Sequence, residues 1–296
     1  MSLRYNAGEV ITAMATPFND KLAIDFEAVE KLVEHLINNG SDAILVAGTT
    51  GESPTLTHEE EFELLSVVKS VAKGRVKVIM GAGSNSTDTA VASTKRVTAI
   101  GADAILTVVP YYNKPSQRGL IEHFGAIAKA ADIPIMLYNI PGRTGINMQP
   151  ETIVKVAEEN KNIFAVKQSN ADLDLVSEIA STAPEGFVVY SGDDSLTLPM
   201  MSLGAYGVVS VASHIIGNDI KEMISCFNRG ENQKAREIHY KCFPVFKAIF
   251  TAPNPVPIKA CLERIGIMSD NVRLPLVSLS NEEKAVLLKV IEQFEG

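Results

Sequence analysis

The sequence predicts an α/β fold: a closed parallel (β/α)8 barrel over residues 1–225, with a C-terminal helical region over residues 226–296 packed on it. Three observations carry this. Short apolar runs alternate with longer amphipathic ones in eight successive strand–helix units. The stretch Gly40-Ser41-Asp42-Ala43-Ile44-Leu45 is echoed by Gly101-Ala102-Asp103-Ala104-Ile105-Leu106, 61 residues later, each copy a helix stop running into a strand. The 296 residues exceed the ~250 that such a barrel needs, which leaves a helical tail. An open doubly wound sheet stays compatible with the periodicity, which does not by itself show closure.

In chain order, residues 10–15 form the first strand candidate. A helix follows over 24–38, with Asp25 as N-cap and Gly40 just past its end. Residues 43–47 are the second strand, and 57–72 a helix opened by the capping box of Thr57 and Glu60. Strands at 76–80, 104–109 and 135–138 alternate with helices at 86–100, 116–130 and 150–160, the last opened by Pro150. The sixth strand, 163–167, is apolar on both alternating faces until it ends on Lys167, as expected of a strand covered on both sides. A helix at 172–181, a strand at 187–191, a short helix to 203 and a strand at 207–211 complete the eight. Helices at 218–227, 232–250, 258–265 and 281–294 follow, interrupted by the proline-rich residues 252–257.

Composition excludes several classes. A net charge of −8 with no basic cluster argues against nucleic-acid binding, and no apolar run is long enough to span a bilayer. The start, Met1-Ser2-Leu3-Arg4-Tyr5, is short and polar, reads in part as a cloning remnant, and is not a signal peptide. Cys226, Cys242 and Cys261 are odd in number without metal-type spacing, as free thiols of a cytoplasmic protein would be. His35, His58, His123, His214 and His239 are scattered and no phosphate-binding glycine motif follows a strand, so neither metal nor cofactor is expected.

Barrel chemistry gathers at the C-terminal ends of the strands. Lys167 ends strand six, where a desolvated amine would attack a ketone or aldehyde to form a Schiff base. Taken alone, a solvated strand-end lysine is the commoner reading. Gly48-Thr49-Thr50-Gly51 after strand two offers hydroxyls and close backbone donors to a carboxylate, or is an ordinary glycine-rich turn. Tyr138, ending strand five, either relays protons to a carbinolamine or keeps its ring in the core and its hydroxyl in water. Arg143, on the next loop, is a fork for a second carboxylate or one half of a loop salt bridge. Tyr111 and Tyr112 are adjacent and point different ways, one toward the site and one toward an interface. Asp193 and Asp194 beside a Ser-Gly turn read as capping residues without chemistry.

Gly48 to Ser53, Pro110 to Gln117, Leu137 to Gly145, Val166-Lys167 and Ser191 to Asp194 occur together and in order, with Asn254 to Lys259 and Arg273 to Pro275 in the tail. This set resembles the dihydrodipicolinate synthase family of the pyruvate-dependent class I aldolase superfamily, over essentially the whole chain. The resemblance implies a (β/α)8 TIM barrel, usually a homotetramer built as a dimer of dimers. It implies a lyase that condenses pyruvate with L-aspartate 4-semialdehyde on the route to diaminopimelate and lysine. Lys167 would carry the Schiff base, and Thr49 and Thr50 would hold the pyruvate carboxylate. Tyr138, Thr49 and Tyr112 would form the proton relay, with Tyr112 reaching a neighbouring subunit. Arg143 would receive the semialdehyde carboxylate, and Val209 in strand eight is a further substrate-binding position.

One departure is Gln168, where the family commonly has an acid; by alternation it points away from Lys167 and little effect on catalysis is expected. Sister enzymes, N-acetylneuraminate lyase and 2-keto-3-deoxy sugar-acid aldolases, would share the lysine and Tyr138, but a sugar acceptor calls for hydroxyl partners in place of Arg143. A non-catalytic keto-acid-binding barrel is the remaining alternative. The family is often inhibited by lysine, through a histidine pair, a glutamate and the first tyrosine of the pair. This chain keeps His58, Asn85 and Tyr111 but has Glu61 for the second histidine and Thr89 for the glutamate, so weak or absent inhibition is expected.

Overall fold

The computed structural model describes residues 3–295. Its elements run β1 (Val10–Ala13), α1 (Phe26–Asn38), β2 (Ala43–Val46), α2 (His58–Ala72), β3 (Lys77–Gly81), α3 (Thr87–Ile100), β4 (Ala104–Val108) and α4 (Gln117–Ala130). Then come β5 (Ile135–Asn139), α5 (Pro141–Thr144), α6 (Pro150–Glu159), β6 (Ile163–Gln168), α7 (Leu173–Thr182), β7 (Val188–Ser191), α8 (Thr197–Met201) and β8 (Gly207–Ser210). Helices α9 (Ser213–Asn228), α10 (Asn232–Ala248), α11 (Val256–Arg264) and α12 (Asn281–Glu295) complete the chain. The strands close in sequence order, β1 to β8, into a barrel, which settles closure against the open sheet. Every residue of β1, β2, β5, β6, β7 and β8 is buried, as strands covered on both faces require.

Local chemistry sets the helix starts. Asp25 accepts from the Ala28 N–H, and Ser86, Ser116 and Asp172 cap α3, α4 and α7 in the same way. Thr57 and Glu60 form the full reciprocal capping box on α2. Gly40 and Gly101, the two stops of the internal echo, both take the left-handed conformation.

By compactness the chain falls into two units. One comprises the residues up to Gly8 together with Ile79–Val209; the other comprises Glu9–Val78 and the chain from Ser210 onward. In the first, β3 to β8 pair in parallel, each with the next. In the second, β1 pairs in parallel with β2, and Thr12 Oγ1 lies 2.7 Å from Ser213 Oγ. Residue 225, the expected end of the barrel, falls inside α9, and α10 to α12 follow it.

Three elements differ from the sequence reading. α9 begins at Ser213, but it is kinked where Ile216 leaves helical geometry, and the helix expected from 218 is the part beyond the kink, where Gly217 packs against the end of α1. A Cβ on Gly217 would stand 2.0 Å from the Asn39 carbonyl oxygen, so this contact admits only glycine. α11 starts at Val256 because Pro257 lies in its first turn, where no intrahelical N–H is needed. The short α5, with Pro141 at its start, was too brief to show a period. At the N-terminus Met1 and Ser2 lie outside the described residues, while Arg4 and Tyr5 are held in the fold. Arg4 Nη1 donates to the carbonyls of Ala157 and Ile163 at 2.7 and 2.8 Å, and Tyr5 meets Phe164 edge to face.

Candidate active site

Strands β5 and β6 lie side by side in a register that pairs Tyr138 with Lys167 and Asn139 with Gln168. Paired residues point to the same face, so the amine and the tyrosine ring meet: Lys167 Nζ stands 4.3 Å from the ring centroid. Both side chains are buried, Lys167 to 6 % exposure and Tyr138 to 5 %. The solvated reading of Lys167 is therefore excluded.

Gly192, just past β7, makes room for the lysine. A Cβ there would lie 2.9 Å from Lys167 Cε and 1.8 Å from Ser169 Oγ. Ser169 Oγ is itself buried without a hydrogen-bond partner. Nothing in the residue types alone singled out Ser169; the Ser-Gly pair at 191–192 was legible only as a turn.

The other alternating face of the same strand ends anchors the loop that follows β5. Asn139 Nδ2 donates to Asn147 Oδ1 at 2.8 Å and to Gln168 Oε1 at 3.1 Å, and its Oδ1 accepts from the Met148 N–H at 3.0 Å. Gln168 thus points away from Lys167, as alternation predicts, and helps hold the segment that carries Arg143. Within that segment Thr144 Oγ1 donates to the carbonyls of Ile140 and Ile146. Arg143 is exposed and makes no ion pair among the described residues, so the loop-salt-bridge reading does not hold. An exposed guanidinium with a free fork is suited to a carboxylate from solution.

The loop after β2 is built in the other compact unit. Thr50 is 3 % exposed and Thr49 half-buried. Thr50 Oγ1 accepts from Asn254 Nδ2 at 2.9 Å. Ala47 and Glu52 both take positive φ, 48° and 57°, so the loop is tightly wound. Its exit is locked by a buried ion pair, Lys259 Nζ to Glu52 Oε1 at 2.5 Å, with both side chains at 1 % exposure or less. Lys259 also donates to the Asn271 carbonyl at 2.7 Å and sits 4.2 Å from the Phe18 ring centroid. Burial pushes its ammonium down to about 8, against the opposing pull of Glu52. The Arg273 N–H donates to Glu52 Oε2, while the Arg273 guanidinium grips Glu60 with two nitrogens at 2.6 and 2.9 Å. The sequence reading gave none of these residues a role in the loop. A lone lysine within the apolar run Val256 to Leu262 was the available signal.

The remaining candidates differ in exposure. Tyr112 is 89 % exposed and Tyr111 42 %, on a loop where Tyr112 has φ 72°. Val209 is buried within β8 at 1 % exposure. Asp193 Oδ1 accepts from both the N–H and the hydroxyl of Ser195, the expected capping role. No cluster of metal-ligating side chains occurs among the described residues, and no described helix is long and apolar enough to cross a membrane. The three cysteines are buried thiols.

A closed parallel barrel with a buried strand-end lysine against a tyrosine defines a class, that of barrel enzymes equipped for Schiff-base chemistry. The chain belongs to the dihydrodipicolinate synthetase family, whose model matches residues 6–294. It is 53 % identical over 287 residues to the 4-hydroxy-tetrahydrodipicolinate synthase of Microcystis aeruginosa, covering 97 % of this chain and 96 % of that one. Among solved structures, the dihydrodipicolinate synthase of Cyanidioschyzon merolae with lysine bound is 49 % identical, with a TM-score of 0.96 and 98 % of each chain covered. The chloride-inhibited dihydrodipicolinate synthase of Acinetobacter baumannii complexed with pyruvate is 35 % identical, with a TM-score of 0.95 and coverage of 98 % and 99 %.

Proposed function

We propose that this chain is a lyase that condenses pyruvate, held as a Schiff base on Lys167, with L-aspartate 4-semialdehyde, the activity for which its relatives are named. The observation that carries the reading is the buried Lys167 set in register against Tyr138. A free amine on Lys167 adds to the pyruvate ketone, and the resulting carbinolamine loses water to give the imine. Loss of a methyl proton makes an enamine, whose carbon attacks the semialdehyde carbonyl. Each step moves a proton, and Tyr138, Thr49 and Tyr112 are assigned to the relay.

Thr49 and Thr50 serve the pyruvate carboxylate, with Val209 as a further contact. Arg143 receives the carboxylate of the semialdehyde, and its lack of an internal partner supports that role. Tyr112 acts from a neighbouring subunit of a homotetramer arranged as a dimer of dimers, in the cytoplasm. Its exposure and its distance from any internal role support this assignment.

Pyruvate with borohydride should reduce the imine, leave a stable adduct on Lys167, and abolish activity in a coupled assay with the semialdehyde. Labelling of another lysine, or an active preparation that takes no label, overturns the reading. Arg143→Ala should keep the adduct and lose affinity for the semialdehyde. Loss of the adduct with semialdehyde binding intact would show that Arg143 is misassigned.

A further inference from the structure

Two side chains of the proline-rich stretch and the helix after it, Asn254 and Lys259, reach the strand-two loop. Asn254 Nδ2 donates to Thr50 Oγ1 at 2.9 Å, and Lys259 pairs with Glu52 at 2.5 Å. The two contacts are offset in the same sense along both segments, Asn254 before Lys259 and Thr50 before Glu52, so they act as parallel struts. Their consequence for Thr50 follows from the inventory of a hydroxyl, which has one proton and two lone pairs. An amide N–H only donates. The Asn254 contact therefore occupies a lone pair on Thr50 and turns the single hydroxyl proton away from the tail. Among the described residues no acceptor takes that proton. Thr50 is left as a donor with nothing to donate to, on a loop whose other hydroxyl, Thr49, is half-buried beside it.

We infer that Asn254 is a positioning residue for the keto-acid substrate: it fixes the polarity of the Thr50 hydroxyl so that its proton is presented to the substrate carboxylate. This deepens the function proposed above and rests on it. The cost is visible in Asn254 itself, whose Oδ1 is buried without a hydrogen-bond partner. An orphaned buried acceptor is tolerated where the other half of the same amide has a defined task. The Lys259–Glu52 pair keeps the two segments at the required spacing, and the Arg273 backbone N–H occupies the second oxygen of Glu52.

The discriminating substitution is Asn254→Asp. It preserves the shape but replaces the donor by a carboxylate, which only accepts. The Thr50 proton is then drawn toward residue 254, and a negative charge is added behind the carboxylate site. In the full-length protein, the pyruvate concentration that half-saturates borohydride trapping on Lys167 should rise about 30-fold. The KM for the semialdehyde should not move. In a Thr50→Ala background the Asn254→Asp change should add little, because the hydroxyl through which it acts is gone.

A merely structural role predicts the opposite pattern, in which both substrates are affected and the effect persists without Thr50. That result, or unchanged pyruvate saturation, overturns the inference. If the Asp variant melts before assay, Asn254→Ala decides. It frees the hydroxyl to rotate and should shift pyruvate saturation in the same direction by a smaller factor, and no shift overturns the inference. A wild-type enzyme that forms no Lys167 adduct would overturn the keto-acid reading itself, and the inference with it.

Discussion

The loop after β2 and the loop after β4 both carry residues assigned to the reaction, and they are built in opposite ways. The first is gripped by its own chain: Glu52 is sealed against Lys259, Thr50 is held by Asn254, and Arg273 clamps the following helix through Glu60. The second runs in the open. Tyr111 to Lys114 are exposed, Tyr112 and Lys114 take positive φ, and Asn113 Nδ2 ties the loop to the Asn85 carbonyl at 2.8 Å. A bulky residue at positive φ costs roughly 1–3 kcal/mol and persists where something outside the local backbone holds it. The contrast separates a loop held by side chains of its own chain from one whose side chains are left exposed.

The comparison breaks most visibly at the buried pair. Lys259→Met removes the counter-ion of the buried Glu52, which should cost about 3–5 kcal/mol in urea unfolding. The double change Lys259→Met with Glu52→Gln should recover a large part of that loss. If the single variant is as stable as wild type, the pair does not brace the loop.

A second comparison concerns one buried histidine in each compact unit. His214 Nδ1 donates to the Val211 carbonyl and its Nε2 accepts from the Ala15 N–H at 3.1 Å, so the ring is neutral. His123 contacts Thr87 through Nδ1, and its Nε2 has no partner. Burial pushes both rings down to about 4 from an ordinary 6.5. Between those values the unfolded chain binds protons that the folded chain refuses. Their contribution is therefore complete above pH 6.5 and is lost as the pH falls toward 4, by about 3 kcal/mol for the fully buried His214. Urea midpoints should fall over that range and fall less steeply in His123→Phe. A variant with the wild-type slope would show that His123 does not contribute.

The open loop should behave differently from the braced one. Tyr112→Phe should change stability by no more than about 0.5 kcal/mol, since the ring is exposed, while activity falls about 100-fold. Mixed oligomers of Tyr112→Phe with Lys167→Ala should regain part of the activity, because one hybrid site keeps both groups. Verified hybrids that stay inactive would place the action of Tyr112 within its own chain.

The smallest expected effect is the response to lysine. Glu61 is buried and already engaged, accepting from Ser53 Oγ at 2.6 Å and lying 3.1 Å from His58 Nδ1, and burial raises its carboxyl. It is poorly placed to serve an incoming ammonium, and Thr89 supplies no charge. Lysine should therefore inhibit weakly or not at all. Half-inhibition at submillimolar lysine in steady-state assays would reverse that expectation.

Most of the barrel was legible in the chain because its determinants are local. Alternation across 163–167 depends on adjacent residues, the Thr57–Glu60 box spans one turn, and the stops at Gly40 and Gly101 depend on a single left-handed residue. Lys167, Tyr138 and Arg143 could be singled out because each sits at or just past the end of its own strand. The sequence also placed Gln168 on the face away from the lysine. The pairing of Tyr138 with Lys167 needed the register of two strands, the room beside the lysine needed the backbone path at Gly192, and the close contact beside the kink of α9 needed the approach of Gly217 to Asn39. The bracing of the strand-two loop was further out of reach. Asn254 and Thr50 are 204 residues apart, and no local period encodes which distant side chains meet when a chain closes on itself. Side-chain type and spacing determined the elements and the place of Lys167 at a strand end. Which hydroxyl Asn254 holds, which lysine is paired and which tyrosine is left exposed were decided by packing, because each is a property of two segments at once.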